Sequence, residues 1–233
     1  MAARRGPVVV VPGLCVAGYL VPACEELAAA GYDVLLLRPP GWPREERPDP
    51  EPTALADLVA RIEEVFRAEG LHDVLLIGQS AGAQLAAHLA VAVPDRVRLL
   101  VLQGPCFDPR YRSVPHAVGR WLMDLPREKP SLLLVEGPEW LRVGPRRVAR
   151  TLRLLIADGI EHTLLSYGGE VAVVVGEHET LATPTWTARL ASRPELHVVL
   201  PGLPHSAAHA DPAGFALCVV ELDMRTARAG RPG

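Results

Sequence analysis

The chain has 233 residues, a formal net charge of -3, 49% hydrophobic residues and 22% charged ones. That length suits one α/β domain with room for an inserted subdomain, and that composition excludes a disordered or collagen-like chain. The mildly acidic balance excludes a surface built to attract nucleic acid or an anionic membrane.

Lys129 is the only lysine, so Schiff-base and phosphate-loop lysine chemistry have almost nothing to work with. Cys15, Cys24, Cys106 and Cys218 are widely spaced with no CxxC pair, which reads as reduced cytosolic thiols rather than a disulfide framework. Near the N-terminus Arg4-Arg5 precede an apolar run and Cys24 follows it, loosely like a twin-arginine or lipoprotein signal. Pro12, Gly13 and Gly18 interrupt that run, so a strand, a glycine loop and a helix are expected instead. No later apolar run is long enough to span a membrane, and a soluble cytoplasmic protein is expected.

In chain order, short apolar runs fall at Pro7–Val11, Asp33–Leu37, Asp73–Ile77, Arg98–Leu102, Val171–Val175 and Leu196–Leu200. Their near-continuous Val, Leu and Ile content suits strands buried on both faces. Helical patterns fall between or after them at 19–30, 54–68, 81–92, 184–192 and 212–227. This alternation predicts parallel βαβ units. The Pro-rich stretch Pro39–Pro52 is expected to be a surface loop. Residues 107–166 break the rhythm with amphipathic helical pieces and no good strand, and read as an inserted helical cap. The expected division is a core of residues 1–106 and 167–233 with a cap of 107–166.

The third apolar run leads straight into Gly78-Gln79-Ser80-Ala81-Gly82 and then into an alanine-rich helical pattern. This is G-x-S-x-G in the strand-to-helix context where it has meaning: the turn is strained, the serine hydroxyl is exposed, and the next amide points where an oxyanion would form. A serine hydroxyl needs a base, and the base needs an orienting carboxylate. Downstream, "VAVVVGEHETLATP" puts Glu177 and Glu179 just past one strand, and "VVLPGLPHSAAHADP" puts His205 after the last. Both sites follow strands that end at the same sheet edge as Ser80, where ligands of such folds bind.

With these motifs in register from Val8 to Phe215, the chain closely resembles the α/β-hydrolase superfamily. "VVVVPGLC" corresponds to the family's first strand and oxyanion loop, "GQSAG" to its nucleophile elbow, Gly176-Glu177-His178-Glu179 to its acid motif and "PGLPHS" to its histidine loop. The resemblance implies an α/β-hydrolase fold: a mostly parallel sheet of about six strands with helices on both faces and an inserted helical cap. The usual pair of N-terminal antiparallel strands has no counterpart here. By position, Ser80 is the nucleophile, His205 the base and Glu179 the acid, with oxyanion amides from Leu14 and Ala81. Glu179 stands where aspartate is commoner; Glu177 and Asp108 are the competing acids. Pro12-Gly13 replaces the common His-Gly, which a backbone donor tolerates.

Other features have plainer readings. "GLCVAGYL" lacks the Lys and Ser/Thr of a phosphate loop, since Tyr19 and Leu20 stand there. His205 and His209 are four apart, but no Glu follows His205, and neither metal nor organic cofactor is expected. His72, His88 and His197 read as surface or strand-edge residues, and Cys15 and Cys106 as small apolar packing near the pocket rim. Arg142, Arg146, Arg150 and Arg153 can line one helix face opposite Leu141, Val148, Leu152 and Leu155, as a solvated face or as contacts to an acidic substrate.

The expected activity is hydrolysis of a carboxylic ester or related acyl bond through an acyl-enzyme. The expected substrate is a small apolar molecule, in a pocket lined by Trp42, Phe107, Trp121 and Trp140. Alternatives on the same triad are C–C bond hydrolysis, lactonisation or cyclisation, and thioester cleavage. An alternative of another class is a ligand-binding protein without turnover. The oligomeric state is open.

Overall fold

The computed structural model describes residues 5–38 and 54–229. Trp42 and the Pro39–Pro52 stretch lie outside the described residues. The elements in chain order are β1 (Pro7–Val11), α1 (Val21–Ala29), β2 (Asp33–Leu36), α2 (Leu55–Ala68), β3 (Val74–Gln79), α3 (Gly82–Ala92) and β4 (Val97–Gln103). Four helices follow: α4 (Val114–Asp124), α5 (Pro130–Val143), α6 (Pro145–Ala157) and α7 (Ile160–Leu165). The chain then returns through β5 (Val171–Gly176), α8 (Pro184–Leu190), β6 (His197–Leu200), α9 (Ala207–Ala210) and α10 (Pro212–Ala229). This is an α/β-hydrolase fold.

The six strands form one sheet in the order β2-β1-β3-β4-β5-β6, and every neighbouring pair is parallel. The four central strands β1, β3, β4 and β5 are buried on both sides because alternate residues enter different cores, while the edge strands β2 and β6 are only half-buried. Val9, Val11, Leu76 and Leu100 pack with Leu58, Phe66 and Leu89 of α2 and α3. Val8, Val10, Leu75 and Leu99 pack with Leu27 of α1 and Phe215 and Val219 of α10. The period-two side-chain alternation of a strand therefore builds two hydrophobic layers from one run of valines and leucines.

Strand order reverses between β1 and β3, where Val11 pairs with Gly78. Loops that leave two neighbouring strands in opposite directions open a crevice at their carboxyl ends. The loop after β1 and the Ser80 turn after β3 therefore lie side by side.

The four helices between β4 and β5 contain no strand, in keeping with the pattern of residues 107–166. The arginine stripe does not form on a single helix. Gly144, with φ of 92°, ends α5, and Pro145 starts α6, so Arg142 sits on a different helix from Arg146, Arg150 and Arg153. Leu141, expected on the buried side, is 80% exposed. Proline's fixed φ and missing N–H favour the first helical position, which is why the break falls there.

Candidate functional site

Ser80 has φ of 52°, a left-handed conformation that only a tightly over-determined turn imposes on serine. Its neighbours explain how the turn is held. A Cβ on Gly78 would stand 2.6 Å from the Ala86 Cβ of α3, and one on Gly82 would meet the Val11 and Pro12 carbonyls at the end of β1. The Ser80 amide donates to Gln103 O of β4 at 2.8 Å. Glycine on both sides lets strand and helix close on the serine, and the hydroxyl is left at the sheet edge.

His205 Nε2 lies 2.8 Å from Ser80 Oγ, and His205 Nδ1 lies 2.8 Å from Glu179 Oε2. Glu179 Oε1 accepts the Leu181 amide at 2.6 Å, which fixes the carboxylate plane. The two loops reach each other because Gly176 has no side chain: a Cβ there would strike the Leu203 and Pro204 carbonyls. Backbone bonds from Glu177 to Leu200 O and from His178 to Leu203 O lock the approach. Both His205 and Glu179 are buried. Burial alone pushes the imidazole pKa down, but the Glu179 carboxylate, with Asp124 and Glu128 behind it, outweighs that and holds it at about 9.

The competing acids are engaged elsewhere. Asp108 Oδ2 accepts the Thr183 hydroxyl at 2.5 Å and Oδ1 accepts the Arg110 amide at 3.0 Å. Glu177 Oε2 accepts the Gly202 amide at 2.7 Å and the residue is exposed. Of the three carboxylates, Glu179 is the one hydrogen bonded to His205.

A cavity of about 250 Å³ opens at Ser80 and His205, lined by Leu14, Ala81, Phe107, Trp121 and Trp140 among others. Among the described residues, neither the Leu14 nor the Ala81 amide donates within the chain, so both remain available beside the serine. The helix α5 clamps the Leu14 loop from above. Trp140 Nε1 donates to Leu14 O at 2.7 Å, and Glu139 accepts the Ala17 and Gly18 amides at 2.8 and 3.3 Å. Cys106 also lines the cavity, 3.9 Å from Ser80 Oγ, and burial pushes its thiol pKa far up, so it stays protonated.

Sequence reasoning missed the polar part of this site. Tyr19, rejected only as a phosphate-loop position, is buried; its hydroxyl donates to Gln79 Oε1 and accepts the Gly13 amide at 3.1 Å. It braces the loop after β1 against the serine turn. Asp124, Glu128 and Glu136 line a cavity expected to be apolar. His209 serves packing of a polar kind, between Tyr19 O at 3.1 Å and the Ser131 hydroxyl at 2.9 Å.

Residues 6–157 match the model of a family described as alpha/beta hydrolase fold. The chain belongs to that family. Among curated relatives, it is 40% identical over 87 residues to a 2-hydroxy-6-oxononadienedioate/2-hydroxy-6-oxononatrienedioate hydrolase of Pseudomonas putida. That match covers 34% of this chain and 28% of the relative. Solved structures extend the likeness in fold to nearly the whole chain. An N-acyl homoserine lactone degrading enzyme superposes with TM-score 0.76 at 18% identity, covering 94% of this chain and 93% of that one. An esterase of Exiguobacterium antarcticum gives TM-score 0.75 at 15% identity, covering 95% and 92%. No helix among the described residues is long and apolar enough to cross a membrane.

Proposed function

We propose that the protein cleaves a carboxylic ester or related acyl bond of a small molecule through an acyl-enzyme on Ser80. The observation that carries this is the unbroken relay Ser80 Oγ–His205 Nε2 at 2.8 Å and His205 Nδ1–Glu179 Oε2 at 2.8 Å. Ser80 Oγ attacks the carbonyl carbon as His205 Nε2 takes its proton. The amides of Leu14 and Ala81 stabilise the oxyanion, at roughly 3–4 kcal/mol per donor. The bond to the leaving oxygen then breaks, and His205 returns the proton to that oxygen. Water attacks the acyl group, gives its proton to His205, and frees Ser80. Glu179 fixes the imidazole tautomer and stabilises the imidazolium formed in each half. Apart from the attacking water, the groups these steps use are side chains and backbone amides of this chain.

In this reading residues 1–106 and 167–233 form the catalytic core, and 107–166 roof it as a cap that contributes Phe107, Trp121 and Trp140 to the substrate pocket. A cytoplasmic enzyme with a small-molecule substrate fits the reduced cysteines and the slight negative charge.

A second reading, C–C bond hydrolysis, is favoured by the Pseudomonas putida relative, whose named substrates are dioates. Against it stands the cavity wall, where the described lining residues include Asp124, Glu128 and Glu136 but no arginine or lysine to pair with a dicarboxylate.

A fluorophosphonate ester tests the main reading. It should label Ser80 in the native protein, and Ser80→Ala should abolish labelling without a change in circular dichroism. Native protein that stays unlabelled under conditions where ordinary esterases react would remove the serine-hydrolase reading.

A further inference from the structure

Glu136 projects from the cap helix α5 into the cavity wall, with only 6% of its surface exposed. Its Oε2 has no hydrogen-bond partner among the described residues. Glu128, 9% exposed, lines the same cavity; its Oε1 accepts the Ser206 amide at 2.7 Å, its carboxyl lies within hydrogen-bond reach of Asp124, and its Oε2 meets no N–H donor among the described residues. Asp124, buried beside them, accepts the Thr180 hydroxyl at 3.1 Å. Three acidic side chains thus face a largely apolar space, with no arginine or lysine among the described residues of its lining. The one basic side chain among its described lining residues, His205, is already paired with Glu179. Buried carboxylates are normally paired, and an unpaired one is costly. Burial, then a hydrogen bond shared with Asp124, lifts Glu128 to about 7, and burial with repulsion from Glu128 lifts Glu136 to about 8.

The aromatic wall is complementary to the same missing charge. Trp121 and Trp140 both line the cavity and meet edge to face, with ring centroids 5.6 Å apart. The Trp140 ring is held by its bond to Leu14 O. Indole faces attract cations, and a desolvated ammonium gains most from them. At about 250 Å³ the cavity suits a small-molecule occupant.

We propose that the cavity selects substrates bearing an ammonium group, seated against the Glu136 and Glu128 carboxylates and the Trp121–Trp140 wall, with the scissile acyl carbon at Ser80. This rests on the acyl-hydrolase reading for the word substrate, but the cation site itself does not need turnover. The substrate class is therefore small amino esters and related amine-bearing acyl compounds rather than plain alkyl esters.

The test uses full-length Ser80→Ala protein, which cannot turn the probes over, and calorimetric titration at pH 7. The probes are ethyl 4-aminobutanoate, protonated on its amine, and its neutral isostere ethyl pentanoate. The cation should bind at least tenfold tighter. Adding Glu136→Gln or Glu128→Gln should collapse that ratio to below threefold, while Glu136→Asp should keep most of it. Equal or tighter binding of the neutral ester overturns the proposal, and so does a cation preference that survives both Gln substitutions. Should one Gln variant fail to fold, the other and the comparison of probes on Ser80→Ala still decide. Failed fluorophosphonate labelling with the cation preference intact removes the hydrolase reading and leaves this site standing; labelling without the preference does the reverse.

Discussion

Glu179 divides its carboxylate between His205 Nδ1 at 2.8 Å and the Leu181 amide at 2.6 Å. One oxygen anchors and the other orients, so the longer arm of glutamate is held as firmly as a shorter aspartate would be. Glu179→Gln should lower kcat by about 10³–10⁴, the scale of losing a triad carboxylate, with KM little changed. Glu177→Gln should stay within a few-fold, because its carboxylate caps an exposed amide at Gly202. Asp108→Asn should weaken the fold through Thr183 rather than stop turnover. Steady-state kinetics on the three variants checks this; a crippled Asp108→Asn beside an active Glu179→Gln would reverse the assignment.

The base should be neutral only at high pH. Burial disfavours the His205 imidazolium, yet Glu179, Asp124 and Glu128 together hold its pKa at about 9, above the ordinary 6.5. Only the neutral ring accepts the serine proton, so kcat/KM should climb with pH along a limb that lies above 6.5 and approaches 9. Glu128→Gln removes one of the raising charges and should move that limb toward lower pH. The measurement is kcat/KM between pH 6 and 10 with an ester whose leaving group does not titrate there. A limb near 6.5 in the native protein, or one unmoved in Glu128→Gln, contradicts the electrostatic account.

Tyr19 supports the site from below. Tyr19→Phe leaves the Gln79 side chain and the Gly13 amide without their shared partner, both of them buried. A lost buried hydrogen bond of this kind costs about 1–3 kcal/mol. Thermal unfolding should therefore fall in midpoint, and kcat should fall more than KM rises, because the loop that braces the Leu14 amide is loosened. A variant as stable and as active as the native protein would show the brace to be idle.

What the sequence made legible follows from which signals are local. The β1, β3, β4 and β5 runs sit among near-continuous Val and Leu, and Ser80 stands between glycines at a strand-to-helix junction, so the sheet and the serine turn could be read directly. His205 and Glu179 were reachable because each follows a strand that must end at the same edge. Glu136 was not, because its meaning depends on which way α5 rolls. Leu134 and Leu141 look like core positions but are 77% and 80% exposed, whereas Glu136, one turn beyond buried Leu132, points inward. That helix therefore departs from the usual amphipathic rule, with Glu136 buried beside Leu132 while two leucines face outward. The i, i+4 pairing of Leu132 with Glu136 and then Trp140 was the available signal. The arginine stripe was overread for a simpler reason: Gly144-Pro145 marks a helix boundary that the charge pattern runs across.

Buried Glu136 also sets how stability depends on pH. Burial, then repulsion from Glu128, raises the Glu136 carboxyl from 4.5 in the unfolded chain to about 8 in the fold; His205 opposes this and Glu139 adds to it. A raised folded pKa means the native state holds its proton where the unfolded state has lost it. The stabilising contribution is thus complete below about 4.5 and is lost as pH rises through about 8. His205, raised from 6.5 to about 9, acts in the same direction over the upper part of that window. At about 1.4 kcal/mol per pKa unit, the Glu136 contribution is on the order of a few kcal/mol. Native protein should therefore unfold at progressively lower urea concentration from pH 5 to pH 9. Glu136→Gln, which has no proton to lose, should show a flatter dependence and be the more stable of the two at pH 9. Urea titrations at pH 5, 7 and 9 on both proteins check this, and equal slopes for the two would mean that Glu136 is ionised in the fold across the whole range.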